Sequence, residues 1–332
     1  MAILLGVAPA AQAAPARPYK GAIVIDAATG KVLFEDNADV VSPPASMTKL
    51  MTYAVLDDKL RSGALSLTTP ITATRADAKV GSMKDSTSVW LREKETFSVE
   101  ELIYAMMIQS ANDAAYAVSH NAAPSVEAFV ALMNAKAREL GMTRTTFRTP
   151  NGFPPPSRRL SEGDLTTPRD FALLCRYLVQ HTDVLKYTSV KSRWFGQGVR
   201  AAPSQMTNHN HLLGRVAGVD GLKTGFTSGA GFCLSATAIR NGHRVIVVMM
   251  DCENTKTRDI GVAQLLNKGF DLIPIGSAPF VPFARTASAS PAPGAPALPS
   301  GPAVPTAPTR PSPEPTPVPP SGPAIHFSIP GH

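Results

Sequence analysis

Gly231-Phe-Cys-Leu-Ser-Ala-Thr-Ala-Ile-Arg240, Asn241-Gly242, His243-Arg-Val-Ile-Val-Val-Met-Met250 reads as two apolar strands joined by the pair best suited to a two-residue hairpin. Asn and Gly tolerate the positive φ that such a turn demands. Just upstream, Gly221-Leu-Lys-Thr-Gly225 is also strand-like. Near the other end, Ala22-Ile-Val-Ile-Asp26, a turn over 27–30 and Lys31-Val-Leu-Phe-Glu35 read as an opening hairpin. Between these strands the period becomes helical. Met47, Leu50, Met51, Ala54 and Val55 recur on one face after Pro43-Pro44, and Ser98-Val-Glu-Glu101 is a capping box ahead of Leu102 to Ile108. A helix from Ser125 stops at Gly141, Thr167-Pro168 opens another, and Thr255 to Phe270 is helical again. Strands at both ends with helices between predict an α+β fold: one antiparallel sheet made from the chain termini, with an inserted helical lobe.

The chain has 332 residues, 44% of them hydrophobic, and a mean hydropathy of +0.00, values of an ordinary globular core. No stretch reaches the roughly 18–20 apolar residues of a membrane-spanning helix. The net charge of +7 favours an anionic partner. The Lys and Arg residues are scattered, however, which argues against nucleic acid. Cys175, Cys233 and Cys252 show no Cys-x-x-Cys spacing, so no zinc or redox site is expected. Nothing points to a metal or a cofactor. Counting from the Asn241-Gly242 turn sets Cys233 opposite Met250, with Cys252 its diagonal neighbour on the same face. Diagonal positions stand ~7–8 Å apart, too far for an unstrained bridge, so three free thiols are expected.

Composition also divides the chain. Residues 1–13 form an apolar run closed by Ala11-Gln12-Ala13, a small-x-small site of an export signal that lacks the usual leading positive charge. From Ser277 to His332 stand 17 of the 31 prolines, with only Arg285, Arg310 and Glu314 charged. Such a segment cannot bury enough apolar surface to order itself, and it has no amphipathic anchor. The expected plan is a signal at 1–13, a folded unit at 18–274 and a disordered tail at 277–332 whose partner composition does not reveal. The expected location is the periplasm, without a membrane tether.

Three short patterns carry the chemistry: Ser46-Met-Thr-Lys49, Ser110-Ala-Asn112 and Lys223-Thr-Gly225. The first two are cheap by chance, but all three in this order match a known acyl-enzyme motif set. Ser46 and Lys49, three apart, share a helix face. A plain N-cap serine would not call for a lysine one turn on. A serine hydroxyl needs a base, and His120, His181, His209, His211 and His243 read as surface or packing residues. That leaves Lys49, whose pKa must fall from ~10.4 to ~7, a preference for the neutral form of about 4–5 kcal/mol. Burial and a second cation, Lys223, push in that direction. Lys223, Thr224 and Gly225, on a strand that reads as a sheet edge, offer a cation, a hydroxyl and room for a substrate backbone.

Pro44-Ala-Ser-Met-Thr-Lys49, Gln109-Ser-Ala-Asn-Asp-Ala114, Val219 to Phe232 and Lys256-Thr-Arg258 resemble the low-molecular-mass penicillin-binding proteins, and more narrowly the serine D-alanyl-D-alanine carboxypeptidases of peptidase family S11. The resemblance covers about Tyr19 to Leu272. It implies a penicillin-recognising fold: a five-stranded antiparallel sheet flanked by helices, with an all-helical lobe and the site between them. It implies removal of the terminal D-Ala from peptidoglycan stem pentapeptides through an acyl-enzyme, with β-lactams as inhibitors. Carried over by motif, Ser46 is the nucleophile and Lys49 its proton acceptor. Ser110 relays a proton to the leaving amine, and Asn112 binds the acyl amide. Lys223, Thr224 and Gly225 hold the substrate, the N–H groups of Ser46 and Phe226 form the oxyanion hole, and Arg258 helps bind the terminal carboxylate. Phe226 departs from the histidine of many relatives, and the proline-rich segment stands where relatives carry a second β-rich domain and an anchor.

The same motifs serve class A β-lactamases, which need a Glu-x-x-Leu-Asn base. Here the corresponding stretch is Ser161-Glu-Gly-Asp-Leu165 followed by Thr166, so a β-lactam acyl-enzyme is expected to persist. A non-catalytic penicillin-sensing or wall-binding module is the other alternative, disfavoured because all motif residues are intact.

Overall fold

The Asn241-Gly242 pair turns the chain as expected, with φ of 47° and 78°. Residues 18–283 are described in the computed structural model. Strands β1 (Gly21–Asp26) and β2 (Val32–Asp36) open the chain. The nucleophile motif follows, as a 3₁₀ turn (Ala45–Thr48) running into α1 (Lys49–Arg61). The lobe comprises β3 (Pro70–Thr72), α2 (Arg75–Gly81), β4 (Thr96–Ser98), α3 (Val99–Tyr104), α4 (Asn112–Ala122) and α5 (Val126–Glu139). Then come α6 (Pro168–His181), α7 (Val184–Thr188), β5 (Ser192–Phe195) and β6 (Ser204–Thr207). The long strands β7 (Val219–Thr227), β8 (Gly231–Arg240) and β9 (His243–Cys252) precede α8 (Thr255–Asp271).

One five-stranded sheet has the order β2-β1-β9-β8-β7, and every pairing is antiparallel. The α+β expectation holds. Two ribbons, β3-β4 and β5-β6, were not read from the sequence because strands of three or four residues carry too little period.

The period of two explains why both faces of the sheet are buried. Ala22, Val24, Val245 and Val247 pack with Val262 and Leu266 of α8. Their neighbours Ile23, Ile25, Ile246 and Val248 join a core with Leu174 and Leu178 of α6 that extends through the helical lobe. Burying a Leu or Val side chain such as Leu266 or Val262 contributes about 2 kcal/mol, so α8 is held chiefly by this apolar stripe.

Three local expectations need correction. Ser98 caps α3 by accepting from the Glu101 N–H at 3.2 Å. The reciprocal half of the expected box gives way, because the Glu101 carboxylate instead accepts from Arg193 and from the Gly196 N–H. A complete capping box stands at Thr74 and Asp77. Secondly, β8 and β9 carry a bulge between Phe232 and Leu234, where Phe232 pairs with Cys252 and Leu234 with Met249. The slip puts Cys233 in the lobe-side core and Cys252 in the α8-side core. The three thiols are free, but for a different reason from the diagonal spacing. Thirdly, the chain packs on its body beyond Pro274. Phe280 is buried and donates its N–H to the Gly242 carbonyl at 2.7 Å, and Phe283 stacks on His181 at 4.6 Å. An apolar residue with a ready hydrogen-bond partner overrides the composition of the segment. The expected signal at 1–13 and the tail from 284 onward lie outside the described residues.

Candidate active site

The three motifs meet where the 3₁₀ turn, the lobe and the edge strand β7 converge. Ser46 lies inside the 3₁₀ turn, and α1 begins only at Lys49, so Ser46 is not the N-cap of α1. Gly225 makes this convergence possible. A Cβ there would stand 2.5 Å from the Pro44 carbonyl oxygen, so only glycine lets β7 lie against the nucleophile turn. From below, Gly152 (φ +76°) does the same: a Cβ would come within 1.9 Å of the Ala45 oxygen.

Lys49 is fully buried. Its Nζ lies 2.9 Å from Ser46 Oγ, and donates to Asn112 Oδ1 at 2.7 Å and to the Asn151 carbonyl at 2.8 Å. Two of these partners can only accept, while the serine hydroxyl can also donate. That set suits a neutral amine that gives two hydrogens and receives one. Burial, with the Lys223 cation as the next cause, holds the Lys49 pKa well below its ordinary value. Lys223 is itself buried and lowered to about 7, by burial and then by Arg258. No carboxylate touches Lys49 Nζ in its three contacts; that choice of partners keeps the charge off.

Ser110 ends a π turn (Ala105–Gln109) that continues α3, and it adopts the left-handed conformation, φ 64° and ψ 30°. Helix irregularities and such non-glycine residues concentrate at functional sites. Asn112 follows at the start of α4, its amide donating to Ser86 Oγ at 3.1 Å. Ser46, Ser110, Thr224, Gly225, Phe226 and Arg258 line a single cavity of about 310 Å³. Arg258, expected either at the site or on an outer helix face, is buried in the first turn of α8. A cation there works against the helix dipole, and Asp259 offsets this by accepting from Nε and Nη2 at 2.9 and 2.7 Å. Phe226 is half exposed and stacks on Phe232 with centroids 4.2 Å apart.

The sequence reading missed His209 and His211. Both line the same cavity, contrary to their reading as surface or packing residues. His211 Nδ1 lies 3.0 Å from Asp259 Oδ2, which ties it to Arg258. His209 is lowered to about 4 by burial and then by the Lys223, His211, Arg258 and Lys49 charges, so its ring is neutral at pH 7. Asn151 and Ser86 were missed as well; the hydrogen bonds they make with Lys49 and Asn112 have no local signature. His120, by contrast, pairs with Asp77 at 2.9 Å, and His181 stacks on Phe283; both are packing residues. Glu162 accepts from Ser157 and Arg159, occupied away from the lining of this cavity. Among the described residues no group of three or more His, Cys, Asp or Glu could hold a metal ion, and no helix is long and apolar enough to cross a membrane.

The family model for peptidase S11, D-alanyl-D-alanine carboxypeptidase, matches residues 8–254. The chain is 31% identical over 255 residues to the D-alanyl-D-alanine carboxypeptidase DacF of Bacillus subtilis, covering 77% of this chain and 63% of that one. It is 36% identical over 260 residues to DacC of Escherichia coli, covering 77% and 62%. It therefore spans about three fifths of the length of these curated relatives. Penicillin-binding protein D2 from Listeria monocytogenes, solved in its cefotaxime-bound form, superposes with a TM-score of 0.68 at 31% identity, covering 78% of this chain and all of that one.

Proposed function

We propose that this chain, which belongs to the peptidase S11 family of D-alanyl-D-alanine carboxypeptidases, is itself a serine-type carboxypeptidase that removes the terminal D-Ala from peptidoglycan stem peptides. One observation carries the reading: a buried Lys49 amine, deprived of carboxylate contacts and pressed by a second cation, lies 2.9 Å from the Ser46 hydroxyl.

Ser46 gives its proton to the neutral Lys49 Nζ as Oγ attacks the carbonyl carbon of the penultimate D-Ala. The oxyanion is taken by the backbone N–H groups of Ser46 and Phe226. The amide C–N bond breaks, the leaving amine takes a proton through Ser110, and D-alanine departs. Water then cleaves the acyl ester, with the Lys49 amine accepting its proton and returning it to Ser46 Oγ, and Ser46 is restored. Asn112 and Thr224 position the acyl segment, while Lys223 and Arg258 face the substrate's terminal carboxylate. His209, neutral in this cavity, adds a hydrogen-bonding group without adding charge.

A β-lactam enters the same cycle and stops at the ester: its leaving amine stays tethered to the acyl group through the opened ring and blocks the approach of water, and Glu162, engaged by Ser157 and Arg159, supplies no second base. The export-type segment at 1–13 and the proposed wall substrate support a periplasmic location. The test is covalent labelling by penicillin followed by peptide mapping, alongside D-Ala release from a stem pentapeptide. Label on Ser46, and loss of both label and turnover in Ser46→Ala, is the expected result. Labelling retained by the alanine variant overturns the reading.

A further inference from the structure

Ser46 also borders a second cavity, of about 200 Å³, on the side away from Arg258 and the two histidines. Phe153 and Pro154 give it an apolar wall; Arg158 lines it, and so does Asp85, which stands at the border with the first cavity and lines that one too. The same Asp85 and Arg158 line a larger groove of about 480 Å³ that continues past Leu160. Opposed charges thus stand at the passage between the two spaces. Arg158 Nη2 lies 3.9 Å from Asp85 Oδ2, at the outer limit of an ion pair, and the side chains are 57% and 66% exposed.

Stability does not explain this pair. Exposed ion pairs contribute little, yet both residues hold left-handed backbone, Asp85 at φ 65° and Arg158 at φ 58°. Aspartate tolerates that region, but arginine rarely adopts it. Pro154, Pro155 and Pro156 lock the backbone leading to Arg158, whose N–H donates to the Pro155 carbonyl at 2.9 Å. A stiff bank presents a guanidinium whose planar fork suits a two-oxygen acceptor, and the single long contact with Asp85 leaves that fork largely unused.

We propose that Arg158 and Asp85 select the third residue of the stem peptide, the one preceding D-Ala-D-Ala, for a side chain ending in both a carboxylate and an ammonium group. This rests on the carboxypeptidase reading above. With the terminal residue in the basic cavity and the scissile carbonyl at Ser46, the third residue lies about one further residue length, ~3.5 Å, along the groove. Its side chain then enters the space that Arg158 and Asp85 border. A diamino dicarboxylic side chain satisfies both groups, its carboxylate on Arg158 and its ammonium on Asp85. A lysine side chain satisfies Asp85 alone and leaves the guanidinium facing a cation.

The experiment compares kcat/KM for D-Ala release from two synthetic pentapeptides that differ only at the third residue, meso-2,6-diaminopimelate or L-lysine. The wild type is expected to prefer the diaminopimelate peptide by about tenfold, the worth of one charge-assisted hydrogen bond pair. In Arg158→Ala that ratio collapses toward one, and Arg158→Gln, closer in shape, serves if the alanine variant does not fold. Asp85→Asn lowers both peptides by a similar factor, because both carry the ammonium group. A wild type without preference, or a ratio unchanged in the Arg158 variants, overturns the clamp. If penicillin labels Ser46 and both peptides are cleaved equally, the carboxypeptidase reading stands and only the clamp falls. If neither labelling nor cleavage occurs, both fall.

Discussion

Lys49 and Lys136 are both buried lysines on helices of this molecule, and their environments push them in opposite directions. Lys136, on α5, meets Asp58 at 2.7 Å and Glu139 at 3.0 Å. Burial works against its charge, yet the two carboxylates win, and its pKa is raised. Lys49 meets a hydroxyl, an amide oxygen and a backbone carbonyl; burial and then the Lys223 cation lower its pKa, and the more weakly felt Asp113 and Asp164 carboxylates do not reverse this. Burial is common to both. What differs is whether an anion is within reach, and that decides whether a lysine serves as a structural cation or as a base.

The largest break in this contrast comes from a Lys49 that cannot lose its proton. Lys49→Arg keeps the charge but cannot serve as a base, so acylation by penicillin should fall by at least ~10³-fold, the upper range for loss of a general base. Thermal unfolding should still show a single folded state. Stopped-flow acylation rates test this, and a variant within tenfold of wild type would remove Lys49 from its role.

A subtler change gives Lys49 the surroundings of Lys136. Asn112→Asp replaces the amide oxygen 2.7 Å from Nζ with a carboxylate, which raises a nearby amine's pKa by about 1–3 units. Activity requires the neutral amine, so in the wild type it rises with pH through the titration of the coupled Lys49–Lys223 pair, whose Lys49 member is held well below its ordinary pKa. In Asn112→Asp the acid limb of the pH–rate profile should move alkaline by at least one unit, with about ten- to a hundred-fold less activity on that limb and recovery at higher pH. An unshifted limb would mean that Lys49 does not set the profile.

The smallest effect belongs to Lys136. Its raised pKa means that its stabilising contribution is fully present below the unfolded value near 10.5 and is lost as pH climbs through the folded one. Lys136→Met should cost no more than about 1 kcal/mol at pH 7, after allowance for the partly exposed Asp58, with turnover unchanged. Denaturant titration at pH 7 checks the cost and a D-Ala release assay the turnover; a loss well above about 1 kcal/mol would assign the excess to packing.

Much of the fold was open to inspection in the chain itself. The Asn241-Gly242 turn, the caps at Ser98, Ser125 and Thr167, and the alternation that buries Ile23 against one face and Val24 against the other are local rules. Such rules act over two to five residues, and α5, α6, β8 and β9 obey them. The bulge beside Cys233 escaped because one extra residue leaves the hydrophobic pattern almost unaltered while reversing which face a side chain meets. Phe280 escaped because a proline-rich composition says nothing of where one phenylalanine can dock.

For the site the division has the same physical root. Sequence by itself determined which groups could do chemistry: Ser46 and Lys49 share a face because they are three apart, and Lys223-Thr224-Gly225 marks the strand that must come close. Tertiary structure alone decided their state. The Asn112 and Asn151 contacts that hold the Lys49 amine lie 63 and 102 residues away, and His209 reaches the cavity through a loop without regular period. Arg158 and Asp85 face each other 73 residues apart, the difference of their numbers. A pKa depends on the solvent excluded and the charges gathered around a group, and only chain closure over such distances brings those about.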